Sequence, residues 1–299
     1  MDVEKGRSLR NRLSVLWRMK KGVLWADVTF TWFAEIYALW AARLSRIMGK
    51  PSVVVIGGYE VAQVPEIAYG SAIHPETREM VAKILSKAGA SLAVSEFVRQ
   101  SALAISRDAK VEVVHNAIDA HALVPSKTKE DIVVTVGGAT RPRWILKGID
   151  VFVRASAHVP NAKFVVIGPY DEQVVEELRK LNPAVEFTGE LPHAQVIEWL
   201  DKAKVYCQLS RVESFGFALA EAMSLGCYPV VSDQGALPEI VGESGLVVKY
   251  GDASAAAEAI KKAIHWGKGR DARSRVVEKF SVEKREQQLC AVIDTIVAR

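Results

Sequence analysis

Two glutamates eight positions apart, Glu213 and Glu221, bracket the segment ESFGFALAE. A short apolar run, Val205–Leu209, precedes it, and strong helix formers follow from Phe217 onward. Glu213 is therefore expected in a loop and Glu221 inside a helix. The amides of Ser214, Phe215 and Gly216 then lie at a helix N-terminus, where open N–H groups and the helix dipole favour a phosphate. At about 1.5 Å per helical residue, eight positions span roughly 12 Å. That reach fits a diphosphate flanked by two rings, with one carboxylate accepting hydroxyls of a sugar and the other those of a ribose. Plainer readings remain open: Glu213 as an acid favoured near a helix start, Glu221 as a solvated helix residue.

A second stretch, Gly137-Gly138-Ala139-Thr140-Arg141-Pro142-Arg143-Trp144-Ile145-Leu146-Lys147-Gly148, follows another apolar run. Gly137 and Gly138 let the backbone approach a ligand, and Arg141, Arg143 and Lys147 bring positive charge for phosphate oxygens. The pattern is neither GxGxxG nor GxxxxGK[ST], which argues against dinucleotide and P-loop chemistry. Taken alone it also reads as a loop with solvated charges. A third stretch, Ser232–Ile240, is a glycine-bearing turn entering a helix and is weak by itself.

These loops need strands to hold them. Apolar β-branched runs recur at Ile132–Val136, Phe164–Ile167, Val185–Phe187, Val205–Leu209, Pro229–Ser232 and Leu246–Val248. Helical stretches alternate with them at Val151–His158, Gln173–Leu181, Ala194–Ala203 and, after Ser254 as N-cap, Ala255–His265. Strand–helix alternation predicts a parallel sheet covered on both faces. The first half follows the same rule with fewer strands: Val28–Trp32, Ser52–Ile56, Leu92–Val94 and Val111–Val114. Helices are expected at Ala34–Met48, Glu76–Ala88 and Glu96–Ser106. The polar, Pro-containing segment His121–Asp131 reads as a linker. The expected organisation is a reduced first domain over residues 1–122, a second over 123–280, and a helix over 281–299, capped by Ser281, that packs back toward the first.

The 299 residues are 49% hydrophobic and 25% charged, an ordinary globular composition long enough for two domains. A net charge of +4 is too small for a nucleic-acid footprint, so no nucleic-acid partner is expected. Three cysteines with wide spacing (Cys207, Cys227, Cys290) exclude a zinc motif or disulfide framework and point to a reducing, cytoplasmic setting. The apolar stretch Val23–Ala42 contains Asp27, Glu35, Thr29 and Thr31, so it reads as core rather than as a membrane span. Residues 1–21 carry seven Lys/Arg against two acids. Within them Leu13, Leu16 and Trp17 could form one face of a short helix. Residues 7–21 are thus a candidate for peripheral contact with the inner face of a membrane, or equally a surface helix closing the domain.

The three loops together resemble the family-4 nucleotide-sugar glycosyltransferases. ESFGFALAEAMSLGCYPVVSDQGALPEIV resembles that family's E-x7-E signature almost unbroken. GLVVKYGD, VEFTGELP, WILKGID, VSEFVRQ and VVHNAID resemble flanking stretches, so the likeness runs from about residue 90 onward. It implies an α/β protein of the GT-B fold, two Rossmann-like domains with parallel sheets, the N-terminal one reduced. It implies a retaining, metal-independent hexosyltransferase-like enzyme with no cofactor, using a nucleotide-diphosphate sugar as donor and a glycan, lipid-linked or small-molecule acceptor. By resemblance Glu213, Arg141 and Lys147 are catalytic, with Glu213 on the donor sugar. Glu221, on the ribose, binds donor with Ser214, Phe215, Gly216, Gly138 and Arg143, the last a rival to Arg141. Leaving-group charge would be stabilised by fixed donors and cations. Two departures stand out. The usual opening strand and glycine-rich loop are absent. In Ile56-Gly57-Gly58-Tyr59-Glu60, Gly57 stands where the family often has His. Gly57, Gly58 and His74, a candidate substitute, are therefore the acceptor-side residues. A GT-B epimerase and a catalytically silent nucleotide-sugar-binding subunit remain alternatives.

Overall fold

The computed structural model describes residues 9–266 and 269–298. By compactness the chain divides into two units, Met1–Val114 with Gln288–Arg299, and His115–Gln287. The division falls before the boundary expected at 122/123. The reason is local: Ile118 N–H donates to Phe280 O at 2.8 Å, and the Arg273 guanidinium donates to the carbonyls of Ala120 and Leu123. These bonds tie the segment after Val114 to the second unit. Ser126, in the expected linker, donates its N–H to Asp201 Oδ1 at 2.8 Å.

The first unit contains α1 (Leu9–Trp25), β1 (Thr29–Trp32), α2 (Ile36–Ile47), β2 (Ser52–Ile56), α3 (Pro75–Leu85), β3 (Ala90–Ala93), α4 (Glu96–Ile105) and β4 (Val111–Val113). Its four strands are parallel in the order β1-β2-β3-β4. β2 and β3 are buried along their whole length, as strands covered on both faces must be. Ser95 caps α4 by accepting from Val98 N–H at 3.2 Å. The stretch Val23–Ala42 is split among the end of α1, β1 and α2, so it is no single helix. Only part of it is core. Val23, Ala34, Ala38, Leu39, Ala41 and Ala42 are buried, whereas Trp25, Phe30, Trp32, Phe33, Tyr37 and Trp40 are exposed. Hydrophobicity alone could not separate the small inward positions from the large outward ones. Among the described residues no helix is long and apolar enough to cross a membrane. The short helix expected between Arg10 and Lys21 extends to Trp25; residues 7 and 8 of the proposed membrane segment lie outside the described residues.

The second unit contains β5 (Glu130–Val136), α5 (Arg143–Leu146), α6 (Ile149–Ser156), β6 (Lys163–Ile167), α7 (Glu172–Arg179), β7 (Glu186–Phe187), α8 (His193–Lys202), β8 (Ala203–Gln208), α9 (Phe217–Ser224), β9 (Tyr228–Ser232), α10 (Leu237–Val241), β10 (Leu246–Val248), α11 (Ala253–Trp266) and α12 (Gly269–Lys279); α13 (Val282–Val297) runs across the division between units. Six parallel strands lie in the order β10-β9-β8-β5-β6-β7. Val133, Val205 and Val230 from three adjacent strands join Phe152 of α6 and Ile260 of α11 in one buried cluster. Ser281 caps α13 through Lys284 N–H at 3.2 Å, as expected. For α11 the cap is Asp252 rather than Ser254: its carboxylate accepts from Ala255 N–H at 2.8 Å.

Two of the three cysteines, Cys207 and Cys227, are buried, and Cys290 is exposed. Cys227 Sγ lies 3.0 Å from Leu200 O, and burial pushes its thiol up to about 11. Burial also raises the Cys207 thiol. Both are held as inert thiols at neutral pH. A thiol-disulfide colour reagent is expected to titrate one cysteine in the native protein and all three after denaturation. Rapid reaction of two or more native thiols would contradict this packing.

Candidate functional site

Chain order along the second sheet reverses at β5. From it the chain proceeds to β6 and β7 on one side and then to β8, β9 and β10 on the other. In open parallel sheets a crevice opens at such a point, outside the carboxyl ends of the strands. The two loops flanking it here are those after β5 and β8, which are the first two motif stretches.

Backbone contact locks these loops together. Gly148 has φ +66°, and a Cβ there would lie 1.9 Å from Leu209 O. Arg211 N–H donates to Leu146 O at 2.8 Å. No side chain fits between the two loops at Gly148, so Lys147 is delivered against the loop after β8. Its ammonium meets Glu213 Oε2 at 2.8 Å. Gln208, the last residue of β8, donates its Nε2 to the same oxygen at 2.6 Å and accepts from Tyr206 Oη at 3.2 Å. Burial, then the negative charge of Glu213, holds the Tyr206 phenol well above its usual range, so it stays a neutral donor.

The third stretch supports Glu213 from behind. Ala236 N–H donates to Glu213 O at 2.8 Å, and a Cβ on Gly235, whose φ is +62°, would lie 2.4 Å from that oxygen. Ser232 Oγ donates to Ser210 O at 2.5 Å. Gly216, at φ +91°, turns the chain into α9. Only the part from Phe217 is helical, so the uniform helical rise from Glu213 to Glu221 does not hold. Phe215 is buried and packs edge-on against Phe280 with ring centroids 5.6 Å apart. Ser214 lies in the loop between Glu213 and Phe215.

Glu221 sits on α9, its side chain 19% exposed, and its Oε1 is 2.8 Å from Nε2 of His193, the first residue of α8. It is thus neither solvated nor unpartnered. Arg141 is engaged with α7 and the loop before it: its guanidinium pairs with Glu177 at 2.5 Å, and its N–H donates to Asp171 Oδ2 at 2.9 Å. Arg143 opens α5 and is exposed. Gly138 packs against Pro169, where a Cβ would lie 3.3 Å from the carbonyl oxygen.

In the first unit the Gly57 and Gly58 amides donate to the carboxylate of Glu60 at 2.8 and 2.9 Å, and Ala34 N–H adds a third bond at 3.2 Å. Glu60 is buried, so this turn spends both glycine amides on its own carboxylate. His74 is exposed at the N-cap of α3. Among the described residues no group of three or more His, Cys, Asp or Glu is arranged to hold a metal ion.

Sequence reasoning passed over Gln208, His193 and the His115–Glu239 pair, whose Nε2 and Oε1 are 2.6 Å apart. Gln208 had a signal, a polar residue ending a buried strand at the reversal point. His193 and His115 had none, because their partners are 28 and 124 residues away.

Two parallel-sheet units of this kind define the GT-B fold. The structure of Anabaena Alr3699/HepE in complex with UDP and glucose superposes on 97% of this chain and 84% of that one, with a TM-score of 0.79 at 16% identity. Residues 130–265 match the family model of Glycosyl transferases group 1. Among relatives, the phosphatidylinositol N-acetylglucosaminyltransferase gpi3 subunit of Schizosaccharomyces pombe is 28% identical over 55% of this chain and 38% of its own length. The lipopolysaccharide core biosynthesis mannosyltransferase LpcC of Rhizobium leguminosarum bv. viciae is 27% identical over 62% of this chain and 60% of its own. The chain thus aligns with less than two thirds of these relatives' lengths.

The Gly235 contact yields a mutational expectation. Gly235→Ala should destabilise the protein by more than about 2 kcal/mol, since both the conformation and the space refuse a side chain. Chemical denaturation reads this, and an unchanged midpoint would remove Gly235 as the support of Glu213. Asp150, in the first turn of α6, bonds Arg154 at 2.7 Å. Burial raises its carboxyl above the usual aspartate value despite Arg154. A folded-state value above the unfolded one contributes stability at low pH that is lost as pH rises through the folded value. Asp150→Asn should therefore raise the melting temperature at neutral pH, with the gain shrinking under acid. A lowered neutral melting temperature would mean that the Arg154 pair outweighs desolvation.

Proposed function

We propose that this protein is a retaining glycosyltransferase that moves a sugar from a nucleotide-diphosphate sugar to a glycan, lipid-linked or small-molecule acceptor. The observation that carries the reading is the cluster of Lys147, Gln208 and Glu213 beside the N-terminus of α9, with Glu221 on that helix. In this reading Glu213 accepts hydroxyls of the donor sugar and Glu221, oriented by His193, those of the ribose. The amides of Ser214, Phe215 and Gly216 face the diphosphate, and Gly138 lets it approach the loop after β5. Lys147 neutralises the departing charge, an electrostatic stabilisation by groups already in place. Arg143 joins it more readily than Arg141, which must first leave Glu177. The sugar leaves with oxocarbenium character, the acceptor attacks the same face, and configuration is retained without a metal.

Gly57, Gly58 and His74 of the first unit are proposed to serve the acceptor side, the glycines by turn shape because Glu60 occupies their amides. The relatives' names support a lipid-linked acceptor: one belongs to a phosphatidylinositol N-acetylglucosaminyltransferase, another is a lipopolysaccharide core mannosyltransferase. Exposed Trp17 and Trp25 on α1, with Lys21 3.8 Å over the Trp17 ring, support contact with a membrane surface, in keeping with a cytoplasmic protein at the inner face.

Nucleotide sugars should raise the melting temperature by mass action. Glu221→Ala should weaken that shift, while Glu213→Ala should keep the fold and lower transfer to a lipid-extract acceptor by at least ~100-fold. Binding without transfer to a broad acceptor panel would instead favour a silent binding protein. No shift with any nucleotide or nucleotide sugar would sink the donor-site assignment.

A further inference from the structure

A second concavity lies at the opposite end of the same sheet. It is a cleft of about 590 Å³ at the amino ends of β5, β8 and β9. Strands of five to seven residues, at about 3.3 Å each, put roughly 20 Å between it and the Glu213 cluster. The two are separate sites, and the glycosyltransferase reading makes no use of this one.

The lining has an unusual charge balance. Lys127, Lys129, Lys204, Arg270 and Arg273 contribute to it, and among the described residues no acidic one does. Some of this charge is already engaged. Lys129 Nζ donates to Leu200 O at 3.2 Å, Lys204 pairs with Asp131 at 2.5 Å, and Arg273 serves three backbone carbonyls. Asp271 stands near enough to help raise the Tyr228 phenol, after burial. Lys127 and Arg270 are exposed and have no ion-pair partner among the described residues. The loop that carries Lys127 is pinned at Ser126, which donates its N–H to Asp201 and its Oγ to Thr128 O at 3.0 Å. Two cations are thus left over, Lys127 on a pinned loop and Arg270 on α12. Most of the remaining wall is apolar, from Leu225, Tyr228, Ala263 and Ile264.

We propose that this cleft binds a small organic anion, a phosphorylated molecule with an apolar part. The volume is that of an ordinary small-molecule pocket, and the wall offers apolar surface with cations at fixed points. The phosphate faces Lys127 and Arg270, and the apolar part lies along Leu225 and Ile264. A free inorganic anion would satisfy the cations and leave the apolar wall unused.

Calorimetric titration with phenyl phosphate, and with inorganic phosphate for comparison, tests this on the full chain carrying Lys147→Ala, so that the first site's cation is removed. Phenyl phosphate should bind this protein, and more tightly than inorganic phosphate. Adding Lys127→Glu and Arg270→Glu, both at exposed positions, should weaken binding at least ~10-fold with an unchanged melting temperature. Unchanged affinity after the charge reversals, or no binding of phenyl phosphate at millimolar concentration, would overturn the proposal. Equal affinity for the two phosphates would overturn its apolar component. Binding here is expected to persist even if no nucleotide sugar binds at the Glu213 cluster.

Discussion

The second unit is organised around places where backbone meets backbone with no room for a side chain. Gly148 against Leu209 O joins the loop after β5 to the loop after β8, and Gly235 against Glu213 O joins the loop after β9 to both. Each contact needs a left-handed residue without Cβ, so each is available only to glycine. Once they form, Lys147, Glu213 and Gln208 have little freedom to be anywhere else. The polar cluster is a product of this close packing: a 2.8 Å ion pair in a partly covered site, with both partners held by chain rather than by each other. Such an arrangement loses little on ordering, which is why it can serve as a preset electrostatic environment.

Much of this could be read from the residues. The short, continuous apolar runs marked the ten strands of the described residues within a residue or two, because parallel strands covered on both faces tolerate little else. The loops proposed to carry chemistry were identifiable because glycines and cations followed strands, and chain reversal at β5 explains why those two loops are neighbours. What could not be read were long-range pairings. Nothing near Glu221 announces His193, and nothing near Arg141 announces that Glu177 of α7 will take its guanidinium. Expected phosphate cations and actual ion-pair partners look alike in one dimension.

The first unit shows the converse limit. Its turn Gly57–Glu60 has the shape of a ligand loop, yet a buried glutamate folds back and occupies the amides. Its α1–α2 region has the composition of a core and yet exposes all of its aromatic rings. A hydrophobic run records that apolar surface exists, not whether this chain alone covers it.

The hydrogen bonds into Glu213 also have a direction. Tyr206 can only donate to Gln208 Oε1, which turns the Gln208 amide N–H toward Glu213, and Lys147 brings N–H groups to the same oxygen. Every link in the row points one way and ends on the carboxylate. What capacity Glu213 retains is therefore purely that of an acceptor. Its remaining lone pairs can be met only by a group with a hydrogen to give. The direction of this row is thus set by a phenol two residues before Gln208 on the strand, itself fully buried.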